Sequence, residues 1–341
     1  MDQMSKHILF VFFPLYVKWS HGIALLSAIC KLQGIKTSLY LLDTQERFKK
    51  YLEDNPCDYL GFSCVCVHDY LLSKPFMETA KEMGKIILLG GVYPRHGSYI
   101  DAPVDYICRG DGEMLPNFLT TGNTELFDEV QIRKNLNDLP LPDYDLFQGI
   151  PYNRELPFAP EIKNILSYHS SRGCPYQCSF CEVVYQPQEV RFRTMVGEDL
   201  SYLVDRYKPE MVLFGDELLP YYYEPWRESW GDFKFPFVAY IRADISESLL
   251  IWLHDRGLKG CFFGIESADE TYRNEVLGKK LSDAALYRTV NLLKDMGIPF
   301  MVAYMRGTPG ETWPMQAQTE KLCRTIGGYP IIYQYEDLTR I

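Results

Sequence analysis

Short apolar runs alternate with helix-like segments along almost the whole of the 341-residue chain. Most of the helix-like segments end at a glycine or at a polar turn. Alternation of this kind predicts an α/β fold with parallel strands, because a helix returns the chain to the same end of the sheet before each new strand. The length is enough for two domains of about 100–200 residues each.

The first half predicts a parallel sheet with helices on both faces. Strands are predicted at 7–13, 37–42, 59–64, 86–89 and 105–108, and helices at 22–32, 45–52, 70–83 and 112–119. Such sheets bind ligands at the carboxyl ends of their strands, where glycines let a ligand approach the backbone closely. The candidate ligand contacts at these ends are Pro14, Leu15, Tyr16, Ser63, Cys64, Gly90, Gly91, Val92, Tyr93, Gly110, Gly112 and Glu113.

Two nucleotide-binding motifs are missing from the sequence. No G-x-G-x-x-G follows the first predicted strand, and no G-x4-G-K-[ST] is present. The first absence argues against a dinucleotide-binding site, and the second argues against a P-loop nucleoside triphosphatase.

A second alternating array follows a polar connection. Residues 126–160 are rich in Pro, Asn and Asp, which predicts a linker between a domain at 1–125 and a domain at 161–341. Strands are then predicted at 165–169, 211–214, 237–242, 260–265, 300–305 and 331–334, with helices at 196–207, 247–256, 284–296 and 314–325. A βα array of this length predicts a partial (β/α)6 barrel of the TIM type, with chemistry at the carboxyl ends of its strands.

Cysteines mark the loop after the first strand of this array. Cys174, Cys178 and Cys181 have the spacing C-x3-C-x2-C. Three such thiolates can bind three irons of one [4Fe–4S] cluster, and since no fourth cysteine lies nearby, the fourth iron would be open to a ligand. The alternatives are a structural turn or a zinc site, although zinc usually takes paired C-x2-C motifs or suitably spaced histidines, and the only nearby histidine is His169.

Composition narrows the class of protein further. Hydrophobic residues make up 47% of the chain, which predicts a packed core, and a net charge of -10 argues against a generally basic nucleic-acid surface. The apolar run at 8–13 is too short for a signal peptide or a membrane span. We therefore expect a cytoplasmic protein, whose ten cysteines stay reduced or bind metal. The 25 tyrosines fit either core packing or the walls of a cofactor or substrate cavity.

The cysteine motif after a barrel strand is similar to that of the radical S-adenosylmethionine (SAM) superfamily. Other strand ends agree with this resemblance, namely FGDE at 214–217, RAD at 242–244, GIES at 264–267 and GTPGET at 307–312. The first half resembles the Rossmann-like, flavodoxin-type cobalamin-binding domain that precedes the catalytic domain in one large class of these enzymes. That resemblance is carried by GIALLSA at 22–28, GGVYP at 90–94, DYICRGDGE at 105–113 and LNDLPLPDY at 136–144.

The resemblance implies a set of cofactors and contacts. It implies a [4Fe–4S] cluster on the three cysteines, SAM on the open iron, and cobalamin in the first domain at the strand-end residues named above. The implied SAM contacts are Phe180 near the adenine, Gly215, Asp216 and Glu217 at the methionine amino group, Arg242 at the carboxylate and Glu266 at the ribose. Candidate substrate contacts are Tyr222, Trp226, Tyr304 and Arg306. The cobalt-binding motif D-x-H-x-x-G is absent, as is usual in this class.

The implied activity is that of a class B radical SAM enzyme, a methyltransferase acting on an unactivated carbon. Its substrate would be a small molecule or biosynthetic intermediate, and its reductant a flavodoxin- or ferredoxin-like protein. One alternative is a radical oxidoreductase, cyclase or rearranging enzyme, with or without cobalamin. Another is a non-catalytic subunit. Because the sequence ends just past the sixth predicted barrel strand, we expect that a large substrate or a partner protein covers the barrel mouth, or that the mouth is open to a macromolecule.

Overall fold

The computed structural model describes residues 6–13, 20–96, 99–124, 135–150, 156–181 and 190–335. The chain divides into two compact units, one built on a five-stranded sheet and the other on a six-stranded sheet. Residues 138–150 belong to the first unit, and residues 135–137 and 156–335 to the second. The linker predicted at 126–160 therefore contains residues of both units, and its boundaries stay a prediction.

The first unit has a doubly wound parallel sheet. Its strands are β1 (His7–Phe12), β2 (Lys36–Leu41), β3 (Tyr59–Ser63), β4 (Ile86–Gly90) and β5 (Tyr106–Ile107). Its helices are α1 (His21–Leu32), α2 (Gln45–Asp54), α3 (Val67–Glu82) and α4 (Leu115–Thr121). The strand order is β2-β1-β3-β4-β5, with every pair parallel. This is the flavodoxin-like order, so the predicted fold class of the first half is confirmed.

Capping and burial explain these elements. The hydroxyl of Ser20 accepts a bond from Ile23 N and begins α1, and the hydroxyl of Thr44 does the same for α2. Successive residues of β1 are buried on opposite faces of the sheet. One face places Leu9 and Val11 in a core with residues of α2 and α3, which explains why β1 reads as a continuous apolar run rather than an alternating one.

The second unit has a parallel sheet whose strands follow sequence order. Its strands are β6 (Ile165–Tyr168), β9 (Met211–Phe214), β10 (Phe237–Tyr240), β11 (Leu258–Glu266), β12 (Phe300–Arg306) and β13 (Tyr329–Gln334). Its helices are α5 (Val196–Tyr207), α6 (Glu224–Glu228), α7 (Glu247–Asp255), α8 (Asp283–Asp295) and α9 (Trp313–Thr325). Strands in the order β6-β9-β10-β11-β12-β13, with β6 and β13 at the edges, have the order expected of a partial TIM-like barrel.

Three short elements of the second unit were not predicted. A small antiparallel pair is formed by β7 (Ser171–Arg172) and β8 (Arg191–Phe192), which precede and follow the cysteine loop in the chain. Helix α6 begins with Pro225 near its amino end. A single π-helical turn, Tyr272–Val276, follows β11. Short elements of this kind carry little periodic signal in a sequence.

Aromatic side chains fill part of the second core. Trp230 stacks on Phe214 and also contacts Phe237, while Trp226 and Trp252 pack at its edges. Trp226 and Trp230 are almost completely buried. Much of the aromatic content of this half therefore serves core packing.

Within the described residues, no helix is both long enough and apolar enough to span a lipid bilayer.

Candidate active site

The carboxyl ends of the six parallel strands define one edge of the second sheet. Tyr168 of β6 pairs with Phe214 of β9, and Tyr240 of β10 pairs with Phe262 of β11. Since these strands are parallel and in close register, the residues that follow each of them lie along the same edge. The sheet thus brings the cysteine loop to the same edge as the segments that begin at Gly215, Ile241 and Ser267.

The cysteine loop leaves this edge directly after β7 and is held by the segment that follows the π-helical turn. Ser179 donates its N–H to Leu277 O at 3.0 Å and its hydroxyl to Val276 O at 3.0 Å. A Cβ placed on Gly278 would lie 3.3 Å from Gln177 O and 3.9 Å from Cys178 Cα. A glycine at φ +64° therefore lets the two segments approach closely.

The thiols of this loop combine partial access with nearby positive charge. Cys178 is buried, and Cys174 and Cys181 are half-buried. Burial raises the pKa of Cys174 and Cys178, whereas the Arg242 charge acts to lower both and the Lys279 charge acts to lower that of Cys178. Cations beside the thiols are the surroundings that stabilise thiolate ligands.

A site in which three side chains bind one metal ion differs from an iron–sulfur cluster site. Among the residues that the structure describes, no group of three His, Cys, Asp or Glu side chains is arranged to hold a metal ion. Ligands of a single ion converge on one point, whereas each thiolate of an iron–sulfur cluster binds a different iron. This finding bears on the zinc alternative and not on a cluster.

Glu266, the predicted ribose ligand, has an unusual backbone conformation at the end of β11. Its φ is +61°, in the left-handed region that a residue with a Cβ rarely adopts. The pairing of β11 with β12 shifts register between Gly264 and Glu266. The side chain is 7% exposed and accepts a bond of 2.7 Å from Lys279 Nζ. Strain and a buried ion pair at one residue are typical of functional sites rather than of stabilising ones.

Arg242, the predicted carboxylate ligand, follows β10 and is almost buried. Its guanidinium pairs with Asp244 at 3.1 Å and lies over the ring of Tyr176 at 3.7 Å from the centroid. It also donates to the backbone carbonyls of Lys279 and Lys280 at 3.0 and 3.2 Å. The structure thus brings Arg242, Lys279 and Glu266 together beside the cysteine loop.

The segment after β9 has a more structural arrangement. The carboxylate of buried Asp216 accepts bonds from the hydroxyls of Ser170 and Ser171, while Glu217 is exposed. Burial raises the pKa of Asp216 to about 7, although both serines act to lower it. A Cβ on Gly215 would overlap the His169 ring, so a larger residue there would have to displace this ring. Asp216 therefore secures the strand that leads to the cysteines, and the predicted SAM contacts of 215–217 stay predictions.

The remaining predicted SAM and substrate residues occupy different environments. Phe180 is half-buried, with Lys279 Nζ 5.8 Å from its ring centroid. Tyr222 is 40% exposed and bonds Asp244 at 3.4 Å. Trp226 is fully buried and donates its indole N–H to Ser170 Oγ at 3.0 Å.

Tyr304 and Arg306, two further predicted substrate contacts, lie at the end of β12. Tyr304 is buried, and Arg306 pairs with Glu320 of α9. Their roles at a substrate stay predictions.

The carboxyl edge of the first sheet is built differently. Gly91 has φ +101°, and a Cβ there would overlap the backbone of Cys64. Cys64 N also donates to Gly90 O at 2.9 Å, and Tyr93 N donates to Cys64 O at 3.1 Å. The space beside Gly91 is filled by the chain itself, so the fold needs this glycine whether or not a ligand binds.

The other predicted cobalamin contacts are distributed along the same edge. Cys64, Tyr93 and Glu113 are buried, Ser63 and Val92 are half-buried, and a Cβ on Gly112 would press on Leu26. The carbonyl of Gly110 accepts a bond of 3.2 Å from the Arg95 guanidinium. Pro14, Leu15 and Tyr16 lie outside the described residues. What fits a cofactor here is the strand order, since flavodoxin-like sheets bind ligands at the switch point between β1 and β3.

Several residues at the second edge were missed by sequence reasoning. Lys279 was not predicted because the segment that connects it to Glu266 has no periodic sequence pattern. Tyr176 lies inside the cysteine motif, and this position alone could have identified it as a site residue. Arg273 is fully buried and bonds Ser267 O and Leu281 O, both at 2.9 Å. A charged side chain inside a core is invisible to a hydrophobic pattern.

Known proteins are similar to this chain in sequence and in fold. No protein-family model matches the chain. An uncharacterized methyltransferase of Synechocystis is 23% identical over 69% of this chain and 46% of its own length. The anaerobic magnesium-protoporphyrin IX monomethyl ester cyclase of Rubrivivax gelatinosus is 24% identical over 78% of this chain and 54% of its own length. The chain thus spans about half the length of these relatives.

The solved structures extend the likeness to the whole chain. The radical SAM methyltransferase TsrM of Kitasatospora setae, with tryptophan substrate and a SAM analogue bound, has a TM-score of 0.72 at 14% identity, covering 97% of this chain and 73% of that chain. Its structure with cobalamin and a [4Fe–4S] cluster gives 0.71 at 13% identity, with 97% and 75% covered. At such identities the structural likeness concerns the fold. In fold, the chain is similar to a radical SAM methyltransferase whose structure holds cobalamin and a [4Fe–4S] cluster, and in sequence it is similar to a methyltransferase and to an anaerobic cyclase.

Proposed function

We propose that this chain is the radical SAM portion of a cobalamin-dependent enzyme, with a [4Fe–4S] cluster on Cys174, Cys178 and Cys181. The observation that carries the proposal is the cysteine loop at the carboxyl edge of a parallel sheet, next to two cationic side chains and a strained, buried glutamate. When bound, such a cluster supplies the electron that cleaves SAM to methionine and a 5′-deoxyadenosyl radical, which abstracts hydrogen from substrate.

The chain's own residues would bind and orient SAM. The carboxylate of Glu266 is a hydrogen-bond acceptor suited to the ribose hydroxyls. The guanidinium of Arg242 offers N–H donors to the methionine carboxylate. Asp216 holds the serines that lead into the cysteine loop and so fixes where the cluster would lie. Burial of these groups keeps water from the site, which protects a radical from side reactions.

The proposed reaction replaces a hydrogen on an unactivated carbon by a methyl group. A second SAM would be the methyl donor, cobalamin in the first unit would carry the methyl group, and the 5′-deoxyadenosyl radical would take the hydrogen. The flavodoxin-like strand order supports a cofactor site at the carboxyl edge of that unit. The structural relative TsrM is a methyltransferase with cobalamin bound, and a sequence relative is named a methyltransferase. The substrate would be a small molecule or biosynthetic intermediate, and the electron donor a flavodoxin- or ferredoxin-like protein.

A second candidate is a radical cyclase or oxidoreductase reaction. The observation in its favour is the match to the anaerobic cyclase, which covers 78% of this chain, more than the 69% covered by the match to the Synechocystis methyltransferase. The two candidates share the cluster and SAM, and they differ in whether a methyl group appears in the product. For both candidates, we propose that the protein works in the cytoplasm and that a partner protein can cover the barrel mouth.

Anaerobic reconstitution tests the proposed function. The chain is expressed with cobalamin supplied, purified without oxygen, and reconstituted with iron and sulfide. We expect about four irons per chain, since one [4Fe–4S] cluster contains four, together with 5′-deoxyadenosine after addition of SAM and dithionite. A bound cobalamin spectrum favours methyl transfer, and its absence favours the second candidate. Failure to bind iron, or no 5′-deoxyadenosine with an intact cluster, contradicts the proposal.

A further inference from the structure

Lys279 lies between the cysteine loop and Glu266, and neither the composition nor the resemblance singles it out. Its Nζ is 2.7 Å from Glu266 Oε1 and 5.8 Å from the centroid of the Phe180 ring, and its side chain is 12% exposed. The residue before it, Gly278, packs against Gln177 and Cys178. One ammonium group therefore borders the predicted ribose ligand Glu266 and the predicted adenine contact Phe180, and its charge acts to lower the pKa of Cys178.

The backbone of Lys279 is fixed from both sides. Its N–H donates to Arg273 O at 3.1 Å, and its carbonyl accepts from Arg242 Nη2 at 3.0 Å. Arg273 in turn bonds Ser267 O, next to Glu266, and Leu281 O. These contacts hold the backbone of Lys279 in place relative to the backbone at Ser267, next to Glu266, which is the pre-organisation that a binding site needs.

A stabilising role does not explain this arrangement. Burying an ammonium and a carboxylate carries a desolvation cost that their attraction often fails to recover. Glu266 is additionally held at φ +61°, which costs free energy for a residue with a Cβ. An arrangement that is unfavourable in two independent ways, and fixed by buried Arg273, is better explained by a ligand that uses it.

We propose that Lys279 is a SAM-positioning residue, whose ammonium orients the Glu266 carboxylate toward the ribose hydroxyls and adds positive charge next to Cys178. This inference rests on the proposed function. The charge has a second consequence, because a cation beside a cluster stabilises the reduced, more negative state. Lys279 is therefore expected to raise both the affinity for SAM and the reduction potential of the cluster.

The test uses three single variants of the reconstituted chain. Lys279→Met removes the charge, Lys279→Arg keeps it, and Lys259→Met changes an exposed lysine of β11 as the matched control. Three quantities are measured without oxygen: iron content, the Kd for SAM, and the midpoint potential of the cluster without SAM. We expect Lys279→Met to keep its iron, to bind SAM about tenfold to a hundredfold more weakly, as for loss of a charged hydrogen bond, and to have a more negative potential. The other two variants should stay close to wild type.

A double variant distinguishes a specific loss of SAM binding from a general loss of stability. Lys279→Met alone leaves a buried carboxylate unpaired, so Glu266→Gln with Lys279→Met removes both charges, and Glu266→Gln alone is measured to complete the cycle. If Lys279 acts through Glu266, the double variant loses less SAM affinity than the sum of the single losses in free energy. Wild-type affinity and potential in Lys279→Met, or additive losses in the double variant, overturn the proposal. Failure of the wild-type chain to bind iron or SAM instead contradicts the proposed function, so the two failures are told apart.

Discussion

At the carboxyl edge of the six-stranded sheet, the strand ends carry charged side chains that are buried and bonded to one another. At the carboxyl edge of the five-stranded sheet, Gly91 packs against the chain's own backbone, and the charged groups include a buried glutamate, Glu113, and the ion pair of Arg95 with Asp111. Glu266 and Lys279 represent the first arrangement, and Gly91 against Cys64 represents the second. Both edges belong to parallel sheets, so topology alone does not account for the difference.

The two edges differ in whether their structure indicates a bound ligand. Buried charge costs free energy unless a partner or a ligand compensates it, so its presence points to chemistry at that edge. Close backbone packing at a glycine needs no ligand to explain it. In the first unit, a cofactor would therefore be bound by the shape of the edge and by residues other than Gly91, whereas in the second unit named side chains are expected to control binding directly.

The largest effect is expected from removing a cysteine of the loop at the carboxyl edge of the six-stranded sheet. Cys178→Ala should abolish cluster formation and 5′-deoxyadenosine production, because a thiolate ligand is lost from a set of three. Iron content and product are measured after anaerobic reconstitution. The matched control is Cys57→Ala, which changes a half-buried cysteine of the first unit and should leave both quantities unchanged. Retained biological function in Cys178→Ala would instead indicate a non-catalytic subunit.

The next effect tests whether the first edge depends on packing. Gly91→Ala places a Cβ inside the backbone of Cys64 at φ +101° and should lower the free energy of unfolding by roughly 3–5 kcal/mol. Gly122→Ala is the control, since Gly122 has φ +72° with nothing within 4 Å of the added Cβ, so that only the backbone strain of about 1–2 kcal/mol applies. Urea unfolding followed by circular dichroism measures both. Equal losses in the two variants would mean that the contact with Cys64 is easily relieved.

Sequence reasoning recovered the two sheets because their strands and helices repeat with a clear period. The helix at 196–207 and the strand at 211–214 were predicted with the bounds that α5 and β9 have. The first sheet's order could also be anticipated, since flavodoxin-type domains share it. Boundaries differed where turns decided them. The last helix of the first half was predicted from 112 but begins at Leu115, because Gly112 adopts φ +79°.

The site was only partly accessible to the same reasoning. The cysteine spacing predicts the position of a cluster, and the structure brings Arg242 and Glu266 to the same edge. Lys279 and Arg273 were missed because their roles depend on an irregular segment that folds back on the cysteine loop. The left-handed conformation of Glu266 was also invisible, since nothing in the sequence around a glutamate signals a positive φ. Tertiary contacts of irregular segments have no local signature.

A smaller effect is expected when one cation of the second edge is changed in shape but not in charge. Arg242→Lys keeps the charge but loses the planar group that lies over Tyr176 and bonds two backbone carbonyls. We expect SAM to bind about tenfold more weakly, since lysine does not replace arginine at a stacked, multiply bonded site. Arg256→Lys is matched to it, because Arg256 also lies over an aromatic ring, at 4.3 Å from the centroid of Trp252. Equal affinity in both variants would contradict a SAM contact at Arg242.

The smallest effect concerns the pH dependence of the second edge. Burial raises the pKa of Asp216 to about 7 from 3.8, so the folded chain favours its protonated form. A raised pKa of the folded state gives stability that is complete below about pH 4 and is lost as the pH rises toward 7. Asp216→Asn removes this titration. Its melting temperature relative to wild type should therefore increase by a few degrees between pH 5 and pH 8, measured on the chain without iron.

Asp205→Asn provides a comparison of opposite sign within the same unit. Asp205 is exposed, and its bond with Lys208 lowers its pKa. A lowered pKa gives stability at high pH that is lost on acidification, so this variant should gain nothing relative to wild type as the pH rises. If Asp216→Asn and Asp205→Asn respond alike, the carboxylate of Asp216 is hydrated rather than desolvated. The contrast between a charged edge and a packed edge would then rest on Glu266, Lys279 and Arg242 alone.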